Sequence, residues 1–206
     1  MTARVRWTAL AALVVLALVA VVISRHTTPA RVATAAGAPN SDIVTSSDLP
    51  VLDAGPAPSV QGNAGWLNTA PLGAGDLAGK VVLYDFWTFD CVNCQHTLSH
   101  VNAWQQRYAG EGLVIVSIHT PEFDYEADPA NVASFLAEHE IVYPVALDPE
   151  RAVWRAWGNH YWPAFYLYDA QNRLRVQHFG EGGYDSTEDA IRVLLGIAPN
   201  SPRAEV

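Results

Sequence analysis

The chain holds only two cysteines in 206 residues, so a framework of several disulfides is excluded, and no second cysteine pair exists to complete a structural zinc site. Charge is also scarce. Charged residues make up 16% against 50% hydrophobic, which rules out wholesale disorder and leaves enough apolar side chain to close a core. Basic residues are few: residues 41–206 carry eight Lys and Arg against twenty-one Asp and Glu, a formal −13, with no basic cluster. Such a surface repels a phosphate backbone, so nucleic acid is not an expected partner. No internal repeat is present, and the length suits one domain with appendages.

The first forty residues break this pattern, with Arg4, Arg6, Arg25 and Arg31 and no acid. Between them runs Trp7 to Ile23, 17 residues dominated by Ala, Leu and Val. That length lies between a signal-peptide core and a membrane span. The small-residue site Ala33-Thr34-Ala35 is about ten residues away and separated from the run by two arginines, which favours an uncleaved anchor over a cleaved signal. The basic flank keeps the N-terminus cytoplasmic and sends the rest outside. Residues 1–26 are thus read as a membrane anchor or signal, and residues 27–63, rich in Ala, Gly, Pro and Ser, as a linker. Residues 64–198 are read as the folded domain, and 199–206 as a tail.

Within that domain strand-like and helix-like segments alternate. Val81 to Trp87 and Leu113 to Ile118 read as buried strands, and Ala164 to Tyr168 and Leu174 to Phe179 as a strand pair joined across Asp169 to Asn172. Helices are predicted from about Cys91 to Tyr108 and from Asp128-Pro129 to about Glu140. A third follows Asp148-Pro149, over Arg151 to Trp157, and Ser186-Thr187-Glu188-Asp189 resembles a capping box for a last helix ending near Gly196. This order implies an α/β class with helices on both faces of a mixed sheet. Trp104, Trp154 and Trp157 fall at core-like positions and are read as packing.

The chemistry lies in Cys91-Val92-Asn93-Cys94, between a buried strand and a helix start. Free backbone N–H groups and the positive end of the helix dipole favour thiolate at the first sulfur, and the second, one turn further in, can resolve a mixed disulfide. Covalent haem attachment requires CxxCH, whereas Cys94 is followed by Gln95-His96. An inert structural disulfide across so short a loop would remove little chain entropy. A copper-binding metallochaperone using both thiols with His96, His100 or His119 stays open as the alternative. His139, His160 and His178 are scattered and receive no role.

The run Gly79 to Cys94, with His119-Thr120-Pro121-Glu122-Phe123, Tyr143-Pro144-Val145-Ala146-Leu147-Asp148 and Tyr161-Trp162-Pro163-Ala164, resembles the thioredoxin superfamily. The likeness is to its extracytoplasmic TlpA-like branch, and within it to the thioredoxin-like domain of DipZ-type proteins, over about residues 64 to 195. It implies a thioredoxin fold with a helix-containing insertion from about Pro121 to Val145. It makes Cys91 the attacking and Cys94 the resolving thiol, and Pro163 the cis-proline beside which an extended substrate pairs. Asp85, six residues before Cys91, would be the buried acid that relays a proton to or from Cys94, its pKa raised by desolvation. Trp87, Trp162 and Glu122 would line the site on the substrate side.

Two positions depart from the family pattern. Asp90 sets a carboxylate beside the nucleophile, worth roughly half a pKa unit upward at about 7 Å, unless it caps the helix. Ser99 replaces a helix-kinking proline, which implies a straighter helix. A thiol peroxidase is disfavoured, since the superfamily's Pro and Thr, seven and three residues before the cysteine, are matched here by Tyr84 and Thr88. The resemblance implies a membrane-tethered extracytoplasmic thiol–disulfide oxidoreductase with no cofactor beyond the Cys91/Cys94 couple. Its partners would be exported proteins such as apocytochrome c and a membrane electron carrier, with the reductase direction favoured.

Overall fold

The computed structural model describes residues 48–206, apart from 53, 62 and 63. The run Trp7 to Ile23 lies outside the described residues, and among those described no helix is long and apolar enough to cross a membrane. The chain enters through β1 (Gly65–Leu67) and the short helix α1 (Ala74–Leu77), then forms β2 (Val81–Trp87), α2 (Val92–Tyr108) and β3 (Leu113–His119). It continues through α3 (Pro129–Glu138), β4 (Val145–Leu147), α4 (Ala152–Ala156), β5 (Ala164–Tyr168), β6 (Leu174–Phe179) and α5 (Tyr184–Leu194). The strands form one six-stranded mixed sheet in the order β1-β4-β3-β2-β5-β6.

All seven residues of β2 are buried because it lies between β3, parallel to it, and β5, antiparallel to it, with both faces covered. Alternation splits its side chains between two cores. Val81, Leu83 and Trp87 join residues of α2, α3 and α5, whereas Val82, Tyr84 and Phe86 pack with Leu77, Val153 and Trp157. The expected helices on both faces are therefore present. α2 buries Cys94, Thr97, Leu98, Val101, Trp104 and Tyr108, a spacing of three and four that seats one face on the sheet. It runs unbroken through Ser99 over its full 17 residues. The insertion is also present: residues between β3 and β4 include α3, capped by Asp128, whose carboxylate accepts from Ala130 N at 2.9 Å.

Four local expectations are corrected. β1 and α1 were not anticipated, since three and four residues carry too little periodicity to register. Asp148 does cap α4, accepting from Val153 N at 3.0 Å and Trp154 N at 2.8 Å, but Arg151 stands at φ 53° and delays the helix to Ala152. The last helix begins two residues before the supposed capping box. Ser186 Oγ donates back to Gly183 O at 2.8 Å, and Glu188 turns inward to accept the Tyr108 hydroxyl. Part of the segment read as linker is docked: Leu52 N donates to Leu174 O at 2.9 Å, the Arg175 guanidinium donates to the carbonyls of Leu49 and Pro50, and Val60 is buried.

Candidate active site

β2 ends at Trp87, and the chain turns through Thr88 to Asp90, with Cys91 N donating to Thr88 O at 3.4 Å. Cys91 is then the N-cap of α2. Its Sγ takes the place of a capping oxygen and accepts the Cys94 N–H at 3.3 Å. Asp90 is therefore not the cap, as the sequence reading allowed. Both cysteines are free thiols; Cys91 is half-buried and Cys94 is 0% exposed. The Cys94 thiol beside it is the main reason that the Cys91 thiol is lowered to about 7; backbone N–H groups of Cys94 and Asn93 act the same way, while burial and the Glu122 carboxylate oppose. Cys94 is pushed far up by the same contact and by burial. An accessible sulfur that ionises near neutrality thus sits above a sealed one that keeps its proton, the arrangement required for attack and then resolution.

Asp85 lies on the same face of β2, beneath the pair, 1% exposed. Burial raises its carboxyl to about 7, with Ser117 Oγ, donating to Oδ2 at 3.5 Å, opposing and the Cys91 charge adding. Its negative charge in turn contributes to the rise at Cys94. A carboxyl that titrates near neutrality below a thiol that must lose its proton has the properties of an internal base.

The other expected residues divide. The Trp162–Pro163 bond is cis, and Pro163 O accepts from Gly180 N at 2.9 Å. Trp162 is half-buried, donates from Nε1 to Thr120 O at 3.0 Å, and packs between Trp154 and the Arg151 guanidinium. Trp87, expected on the substrate side, is 1% exposed and packs edge-on against His119 at 5.2 Å, so it supports the site from below. Glu122 is exposed, and it is the acid whose charge is felt at Cys91. Asp90, expected to act there, instead accepts the Tyr125 hydroxyl.

The sequence reading missed Glu126. This carboxylate is 0% exposed: Oε1 accepts from Thr88 Oγ1 at 2.5 Å and Asp90 N at 3.1 Å, Oε2 from Glu122 N at 2.6 Å and Phe123 N at 2.8 Å. It ties the turn that presents Cys91 to the insertion loop. The available signal was an acid three residues into a turn that opens at Phe123. His119 belongs to the same cluster. Its Nε2 accepts from Phe89 N at 3.3 Å, and burial lowers its pKa to about 4, leaving it neutral.

Among the described residues no three His, Cys, Asp or Glu side chains are grouped to hold a metal. His119 is occupied as above, His96 pairs with Glu181 at 2.7 Å, and the His100 ring stacks on Tyr184 at 3.6 Å. The two positions weighed for peroxide chemistry are engaged elsewhere: the Thr88 hydroxyl goes to Glu126, and Tyr84 lies on the opposite sheet face against Trp157.

A family model described as "AhpC/TSA family" matches residues 55–177. The chain is 47% identical over 147 residues to Protein DipZ of Mycobacterium tuberculosis, covering 70% of this chain and 21% of that one. It thus spans about a fifth of the length of the DipZ relatives it matches. It is 32% identical over 128 residues to the thiol-disulfide oxidoreductase YkuV of Bacillus subtilis, covering 62% of this chain and 84% of YkuV. The solution structure of a thioredoxin-like protein in the oxidized form superposes with a TM-score of 0.63 at 30% identity, over 68% of this chain and 95% of the other.

Proposed function

Because this chain belongs to the AhpC/TSA family, we propose that it is a thiol–disulfide oxidoreductase of the thioredoxin-like, TlpA-like type, tethered to a bacterial cytoplasmic membrane with its domain on the outer side, reducing disulfides of exported proteins. The observation that carries this reading is the placement of the pair: a half-buried Cys91 at the start of α2, with the sealed Cys94 and Asp85 behind it.

In the reducing direction the Cys91 thiolate attacks one sulfur of a client disulfide. A Cys91–client bond forms, the client S–S bond breaks, and the leaving sulfur takes a proton. Asp85 then accepts the Cys94 proton, and the Cys94 sulfur attacks Cys91. The Cys91–Cys94 disulfide forms as the second client thiol departs, so the client gains two electrons and the dithiol loses them. Reduction is favoured by a Cys91 that is only moderately acid, at about 7, because strong stabilisation of the thiolate form would make the couple an oxidant. A membrane dithiol carrier would restore the pair. Tethering is supported by the apolar run Trp7 to Ile23 with its flanking Arg4 and Arg6, and by the likeness to DipZ.

The test is trapping. Cys94→Ser removes the resolving sulfur, so the variant expressed in cells should accumulate Cys91-dependent mixed disulfides with exported proteins in the membrane fraction. Absence of such adducts, together with inactivity of the unaltered protein toward model disulfides, would reject the reading.

A further inference from the structure

Asp85 sits in a row of paired residues running across the sheet: it is the register partner of Phe165 on β5 and of Ser117 on β3, and Ser117 is the partner of Val145 on β4. Adjacent strands stand about 4.8 Å apart. Tyr143 lies two residues before Val145, and both belong to the core that contains Cys94 and Trp87, so the Tyr143 ring and the Asp85 carboxyl share one sheet face. The ring is held in place. Tyr143 is 1% exposed, its carbonyl accepts from Asn68 Nδ2 at 3.0 Å, and the next carbonyl, Pro144 O, accepts from Ser117 N at 2.9 Å. Yet its hydroxyl has no hydrogen-bond partner in the protein, and neither has Asp85 Oδ1. Two such atoms, buried within each other's electrostatic reach, are the kind that internal water joins.

We propose that Tyr143 is a positioning residue for Asp85: one internal water donates to Asp85 Oδ1 and is held by the Tyr143 hydroxyl. The water on Oδ1 and Ser117 Oγ on Oδ2 then serve both carboxylate oxygens, which favours the charged form that exists after Asp85 has given up a proton. The titratable groups facing the carboxyl are Cys91 and Cys94 from α2 and Tyr143 from the segment before β4; β5 contributes the apolar Phe165. The inference rests on the reading of Asp85 as the acceptor of the Cys94 proton, and it extends that base to include the group that sets its acidity.

The experiment is a carbon-13 NMR titration of the Asp85 carboxyl in the full chain with Cys91 and Cys94 oxidised, so that neither thiol titrates. Tyr143→Phe keeps the ring and removes the hydroxyl, and it should move the Asp85 midpoint upward by about one pH unit. Ser117→Ala should raise it separately, with the two shifts adding, because they act on different oxygens. A midpoint unmoved or lowered in Tyr143→Phe overturns the proposal. So does an unaltered protein that shows no magnetisation transfer from internal water to the Tyr143 hydroxyl, a readout needing no variant. Neither measurement uses a client, so their failure is distinguishable from a failure to trap mixed disulfides.

Discussion

At the scale of single residues the site is a set of pKa values moved apart by position. Asp85, ordinarily near 3.8, is raised to about 7 by burial, and His119, ordinarily 6.5, is lowered to about 4 by burial. The two act oppositely on stability. The raised Asp85 favours the folded state at low pH and loses that contribution as pH rises through 7. The depressed His119 contributes above 6.5 and loses it as pH falls through 4. Their slopes oppose each other between pH 4 and 6.5. Asp85→Asn should therefore stabilise the protein at pH 8 by on the order of 4 kcal/mol relative to its effect at pH 4, and should expose the acid-side loss due to His119. Urea unfolding of both proteins from pH 4 to 8 measures this; a difference that does not grow between pH 4 and 7 would contradict the assignment. The burial of Asp85 was legible as an acid in a buried strand, whereas the only chemistry weighed for His119 was metal binding, because sequence spacing does not reveal that Phe89 N occupies its ring nitrogen.

At the scale of elements the notable link is between the CxxC turn and the insertion. Four donors converge on Glu126, two from each segment. In Glu126→Gln an amide N–H₂ must face donors on one side, so the substitution should cost about 2–4 kcal/mol and loosen both segments together. Hydrogen exchange at Asp90, Glu122 and Phe123 should accelerate in concert while the amides of β2 stay protected. Acceleration on one side only would show that the carboxylate does not couple them. In the local sequence Glu126 differs from Glu122, four residues earlier, only by standing three residues into the turn that opens at Phe123. Only the loop's path decides that one carboxylate is sealed and the other exposed.

At the scale of the whole molecule, the boundary of the folded unit lies earlier than composition implies. Residues 49 to 60 are rich in Pro, Ala and Gly, the signature of a linker, yet they supply the buried Val60, a backbone hydrogen bond to Leu174, and two carbonyls to Arg175, which also pairs with Asp169 at 2.9 Å. A chain starting at Ala64 should be less stable by about 3–5 kcal/mol than one starting at Asp48, with a lower urea midpoint and loss of the Asp169–Arg175 constraint. Equal midpoints would show that this segment is bound without consequence.

The amino-acid sequence alone determined the layer class, the central strands, the helix start at Asp128, the place of the cysteine pair at a helix start and the burial of Asp85 in the strand before it. Each of these is written in short-range pattern: alternation, caps, or a spacing of three between thiols. Tertiary structure alone decided which acid acts on Cys91, that Trp87 supports the site from below, that Glu126 joins two segments, and that an extended apolar stretch docks beside β6. Those outcomes depend on which side chains meet across residues far apart in the chain, where burial and partner geometry set pKa and hydrogen bonding, and one-dimensional spacing carries no record of either.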